Sequence, residues 1–146
     1  MTAVRAAPLY TPQMLALAVE LAEHPLADDM RSEAELRSRT CGSTLRLGLR
    51  IDEDRRVVGV GMRVSACAVG QAAAAIFAGD AHGRNHADIG ETLDGLENWL
   101  AGQGMQPGWR RLEFLAPALA YSGRHEAILL PWRAALDALS NTGTPR

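Results

Sequence analysis

The feature that most constrains this chain is a pair of alternating segments joined by a charged turn. Leu45, Leu47, Leu49 and Ile51 alternate with Thr44, Arg46, Gly48 and Arg50. After Asp52-Glu53-Asp54, Val58, Val60, Met62 and Val64 alternate with Gly59, Gly61 and Arg63. A side-chain period of two buries one face of each segment and wets the other. Two such segments around a short polar turn predict an antiparallel hairpin. A lone hairpin is marginal in water, so its apolar face demands helices over it. Residues 36–40 are a candidate third strand.

The helices come from the flanks. Thr11-Pro12 supplies an N-cap and a first-turn proline. The apolar stripe beyond it is read as Leu15, Val19 and Leu21 with Ala18 and Ala22. Pro25, after His24, closes that helix, and residues 26–35 read as a loop. Gln71 to Ala78 is an alanine-rich run suited to a buried helix closed by Gly79. Ile89, Leu93, Leu96 and Leu100 fall on one helical face beside Trp99. Gly102, Gly104 and Pro107 break the chain before a shorter helix carrying Leu112, Leu115 and Leu119. The last helix carries Ile128, Trp132, Leu136 and Leu139, and Pro131 is tolerated there if the helix begins near residues 126–128. The expected fold is α+β: a small antiparallel sheet of about three strands packed against several helices. With 146 residues, one domain spanning 1–146 is expected, with its core at about 9–139 and a frayed tail at 140–146.

Composition excludes more than it assigns. The net charge is −2, and no basic run marks a nucleic-acid binder. No apolar run reaches the roughly 18 residues a membrane span needs. Residues 1–12 show no basic stretch followed by an apolar one, so the cytoplasm is the expected location.

Three short segments carry chemistry. Cys41-Gly42-Ser43 precedes the hairpin, and the glycine permits a left-handed backbone that projects the thiol from a loop tip. Cys67, in Ala66-Cys67-Ala68-Val69-Gly70-Gln71, stands where strand gives way to helix, a setting that favours the thiolate that binds metal. His125 and Glu126 open the last helix. Each has a plainer reading. Free cysteine often serves as a small buried filler, and His125-Glu126 can be a solvated helix start. His82 and His86 read as surface residues.

In this order the segments resemble the NifU N-terminal-like (IscU/SufU-type) family of iron–sulfur cluster assembly scaffolds, from about Leu9 to Leu139. Cys41-Gly42 before the hairpin, Ala66-Cys67-Ala68-Val69-Gly70-Gln71-Ala72 after it, and Leu130-Pro131-Trp132 carry the likeness. The resemblance implies a site for iron, zinc or a nascent iron–sulfur cluster held by Cys41 and Cys67. It also implies a cysteine desulfurase and iron–sulfur transfer proteins as partners. Two ligand positions depart from the family. Ser43 stands where the family has an acidic residue, and Ala127 where it has a third cysteine. His125 or Glu126 are candidate replacement ligands, since imidazole and carboxylate both coordinate such metals.

The leading expectation is therefore a scaffold or sulfur acceptor that carries a group rather than turning over a substrate. A degenerate, metal-free interaction module is the alternative. A catalytic Cys67–His125 pair ranks third, because no oxyanion-hole signal or orienting third residue accompanies it. The scaffold reading expects Cys41, Cys67 and residues 125–127 to converge at one end of the molecule.

Overall fold

The computed structural model describes residues 9–39 and 42–142. The alternating segments form β2 (Thr44–Ile51) and β3 (Val57–Ser65), antiparallel, with a register irregularity at Arg50/Ile51. The turn between them is held by Asp52, whose Oδ1 accepts from the backbone N–H groups of Asp54 and Arg56 at 2.9 and 3.0 Å. A third antiparallel strand, β1 (Ser32–Arg37), pairs with the other side of β2, giving the order β1-β2-β3. It starts four residues earlier than the expected 36–40 and takes its first residues from the segment read as loop. Two of its three inward positions are small, Ser32 and Ala34, with Leu36 the third, and its outward positions are Glu33, Glu35 and Arg37. Apolar alternation is therefore faint, as suits an edge strand that resists pairing with other chains.

Four α-helices are present among the described residues: α1 (Pro12–Glu20), α2 (Ala68–Asp80), α3 (His86–Leu100) and α4 (His125–Thr142). Thr11 caps α1, its Oγ1 accepting from Met14 N at 3.1 Å. The buried face of α1 is not the one expected. Met14 and Leu17 are buried, whereas Leu15 and Val19 are 47% and 76% exposed. Met14, Leu17, Ala18 and Leu21 form the i, i+3, i+4, i+7 series, and Leu15 and Val19 lie on the adjacent arc. The alanine-rich helix begins three residues before Gln71 and passes through Gly79 to Asp80. Leu112 to Ala120 is a 3₁₀ stretch, not an α-helix, and buries Leu112, Leu115 and Ala118 at a spacing of three.

Pro131 is the seventh residue of α4, past the four N–H groups that lack intrahelical acceptors. Proline there forfeits a helical hydrogen bond, and the buried run Ile128 to Trp132 keeps the segment helical against that loss. The helix continues to Thr142, into the segment expected as a tail, whose residues 143–146 lie outside the described residues.

Leu45, Leu47, Leu49, Val57 and Met62 face α2 and α4 and form the core with Phe77, Trp109 and Trp132. The opposite sheet face carries the pair Gly48↔Gly61. The segment after α1 crosses it like a strap. His24 O accepts from Met62 N at the β3 edge, at 2.8 Å. Pro25, Leu26 and Met30 then lie directly over the two glycines, and Asp29 is clasped by Arg50 at 2.7 and 3.0 Å. Arg55, at φ 63, donates to Leu139 O at 3.0 Å and so caps the far end of α4.

A second clasp joins α1 to the 3₁₀ stretch: Arg111 forks onto Glu20 at 2.9 and 3.0 Å. The hydrogen bond from Arg111 holds the Glu20 carboxyl below its ordinary range, against the opposing effect of partial burial. A folded-state value below the unfolded one contributes stability above the unfolded value, and that stability is lost as pH falls through the folded value. Glu20→Gln is thus expected to cost about 1 kcal/mol near neutral pH. The difference from wild type should close in acid, as urea midpoints at about pH 7 and about pH 2 would show.

Candidate functional site

The register of the sheet assembles the site. Thr44↔Ser65 is the last rung between β2 and β3. Beyond it the two chains separate, and Gly42-Ser43 comes to face Ala66-Cys67 across the sheet end. Gly42, Ser43, Ser65, Ala66 and Cys67 line one open cavity of about 290 Å³ together with Arg124. Gly42 has φ +69, the left-handed conformation its sequence position predicts. Cys67 is a free, half-buried thiol and the N-cap residue of α2. Arg124 immediately precedes α4, so two helix N-termini and a guanidinium converge on this end of the molecule.

Cys41 and its neighbour Thr40 lie outside the described residues. The residues on either side of them are held by hydrogen bonds. Ser38 N donates to Ser43 O at 2.7 Å, closing the loop. Glu126 Oε1 accepts from Ser38 Oγ at 2.8 Å and from the backbone N–H of Arg39. Glu126 therefore reaches the cysteine loop, and its observed work is to hold that loop against α4. This contact spans 87 residues and has no sequence signature. His125 turns the other way: its Nε2 lies 3.2 and 3.0 Å from the carbonyls of Ala118 and Leu119, as an N–H donor. It shares no hydrogen bond with Cys67.

Ser43, the position the resemblance aligns with an acidic residue, is buried in the cavity wall. Ala127, the position the resemblance aligns with a third cysteine, is buried against α2, where it lines a small apolar cavity with Gly70, Leu45 and Pro131. Among the described residues no cluster of three His, Cys, Asp or Glu side chains is placed to hold a metal ion. The donor set they provide is one thiol with two hydroxyls and a cation beside it. His82 and His86 are exposed, and His86 Nε2 lies 3.2 Å from Ser140 Oγ.

A three-stranded antiparallel sheet with helices on one face, and a cysteine at the strand-to-helix junction, defines the fold of the NifU/IscU-type iron–sulfur scaffolds. The chain is similar to the NifU-like N-terminal protein of Brucella abortus, with a TM-score of 0.82 and 25% identity over 90% of this chain and 92% of that one. It also shares the fold of the SUF-system iron–sulfur cluster assembly scaffold of Fervidobacterium islandicum AW-1, with a TM-score of 0.75 and 20% identity over 90% and 96% of the two chains. No protein-family model and no curated protein sequence matches the chain. Among the described residues no helix is long and apolar enough to cross a membrane.

Proposed function

We propose that this protein is a scaffold-type carrier in iron–sulfur cluster assembly, receiving sulfur or a nascent cluster at the end of the sheet where Cys67 and the Cys41 loop meet. The observation that carries this reading is the shared cavity, in which the Cys67 thiol stands beside Gly42 and Ser43, the two residues that follow Cys41. A cysteine desulfurase is the sulfur donor this reading requires, and transfer proteins are the receivers. Cys41 and Cys67 are the thiolates. Glu126 acts first as the anchor of the loop, and His125 or Glu126 would complete coordination only with a change in their present hydrogen bonds. Cargo is iron–sulfur cluster, iron or zinc, and the location is the cytoplasm.

The test is anaerobic reconstitution with iron and sulfide, read by absorbance and metal content. Wild type is expected to take up cargo stoichiometrically, and Cys41→Ala and Cys67→Ala each to lose most of it, since each removes one of the two thiolates. Ala127→Cys, which restores the family's third thiol, is expected to retain cargo longer than wild type. Absence of uptake by folded wild type would remove the metal and cluster reading.

A second reading, a metal-free interaction module, is favoured by one observation. The Ala127 side chain is committed to apolar packing against α2. Uptake restored only in Ala127→Cys would give that reading the lead.

A further inference from the structure

All 15 basic side chains of this protein are arginine. Six are matched to carboxylates: Arg46–Glu33, Arg50–Asp29, Arg56–Asp88, Arg84–Asp80, Arg111–Glu20 and Arg133–Glu97. Arg55 and Arg110 donate to backbone carbonyls. Among the described residues, Arg31, Arg37, Arg39 and Arg63 have neither kind of partner, and all four are exposed.

Arg31 stands at the far end of β1, and the other three gather at the cysteine end of the sheet. Arg37 sits opposite Thr44 in the last rung of the sheet, and Arg63 lies two rungs back, opposite Arg46. Both project from the face away from the helices. Arg39 lies in the loop clasped by Glu126, and Arg124 lines the Cys67 cavity. Strands are about 4.8 Å apart, so Arg37 and Arg63 flank β2 at roughly 10–12 Å. The local carboxylates do not cancel them. Glu33 is taken by Arg46, Glu126 is engaged by the loop, and Glu35 alone stands in the same row. The opposite end of the sheet carries Asp52, Glu53 and Asp54 in the hairpin turn, beside Arg55, which donates to Leu139 O, and Arg56, which is paired with Asp88. Three of the four unpartnered arginines therefore stand at the cysteine end, although the net charge is −2.

We infer that this arginine rim, Arg37, Arg39 and Arg63 around the Cys67 cavity, is a docking surface for an acidic face of the protein that delivers sulfur. The inference rests on the carrier reading above and names the recognition chemistry of the same site. Guanidinium groups match carboxylates in bidentate geometry, and unpaired rim charges act mainly by steering encounter and fixing orientation. Docking along the rim sets the donor's acidic face over the mouth of the cavity, where Cys67 is half-buried.

The test measures binding of full-length protein to the cysteine desulfurase of the same organism across a salt series. The variants are Arg37→Glu/Arg63→Glu, the milder Arg37→Gln/Arg63→Gln, and Arg31→Glu as a control. Arg31 is exposed and stands at the other end of β1. The charge reversal is expected to weaken binding at least about tenfold at low salt and to flatten the salt dependence. The glutamine pair should fall between, and the Arg31 variant should match wild type. Thermal melts of the variants check that folding is intact. Wild-type binding left unchanged by both arginine pairs overturns the docking surface and leaves the carrier reading in place. Equal weakening by Arg31→Glu overturns it as well. Failure of the desulfurase to bind wild type at all overturns both. Rim-dependent binding without cargo uptake would uphold the surface and remove the carrier reading.

Discussion

Gly61→Val is expected to destabilise the protein by about 3 kcal/mol or more, at the upper end of what overpacking costs. A Cβ at position 61 would lie 2.4 Å from Pro25 O and 2.5 Å from Met30 Sδ. The first of these is backbone, which cannot swing aside. Pro25 in turn follows His24, whose carbonyl is bonded to the β3 edge through Met62 N. The strap can therefore yield only by surrendering that bond and lifting from Gly48, where an added Cβ would already meet Met30 Cβ at 2.9 Å. Gly108→Ala provides the comparison: nothing lies within 4 Å of the added carbon, so its effect should stay within about 0.5 kcal/mol. Urea unfolding of the two variants and wild type decides the matter. A Gly61→Val protein as stable as wild type would mean that the strap does not bind this face in solution.

Trp109→Ala is expected to cost about 4–5 kcal/mol, the range for deleting a large buried aromatic side chain. Trp109 is 2% exposed. It stacks on Phe77 at 5.5 Å between centroids and meets Trp132 edge-on at 5.3 Å. Its indole N–H donates to Ile76 O at 2.9 Å, and Arg84 lies over its ring at 4.2 Å. One side chain thus joins α2, α4 and the approach to the 3₁₀ stretch. Trp109→Phe keeps an aromatic ring but not the hydrogen bond, and should fall between wild type and the alanine variant. Equal melting temperatures for wild type and Trp109→Ala would show that this cluster does not carry the core.

The sheet and the helices differ in how openly the chain declares them. The hairpin is legible because the two residue types alternate without a break from Thr44 to Ile51 and from Val58 to Val64. β1 is muted because only Leu36 among its inward residues is large and its outward residues are charged. In α1 two apolar arcs lie side by side, and only packing against α2 decides that Met14 and Leu17 face inward. The 3₁₀ stretch follows a period of three, which the Leu112–Leu115 spacing already carries.

At the site, local signals placed Cys67 at a strand-to-helix junction and His125-Glu126 at a helix start. The bond from Glu126 to the 38–39 loop and the gathering of Arg37, Arg39 and Arg63 depend on strand register and on contacts between distant parts of the chain. No window of the sequence contains them. A chain without an obvious basic run can still fold into one with a positive end.

The two attachments of α4 have a mechanical consequence. Near its first turn, Glu126 grips the loop beside the cavity, and near its last, Leu139 O is gripped by Arg55 in the hairpin turn. Thirteen residues of helix separate these points, roughly 20 Å at 1.5 Å per residue. The helix is a rod pinned at both ends to the same sheet. A partner that pulls the loop away from Glu126 frees one pin and leaves the other as a pivot. Opening at the cavity can then be felt as a twist at the distant turn, on the side of the molecule where no cargo sits.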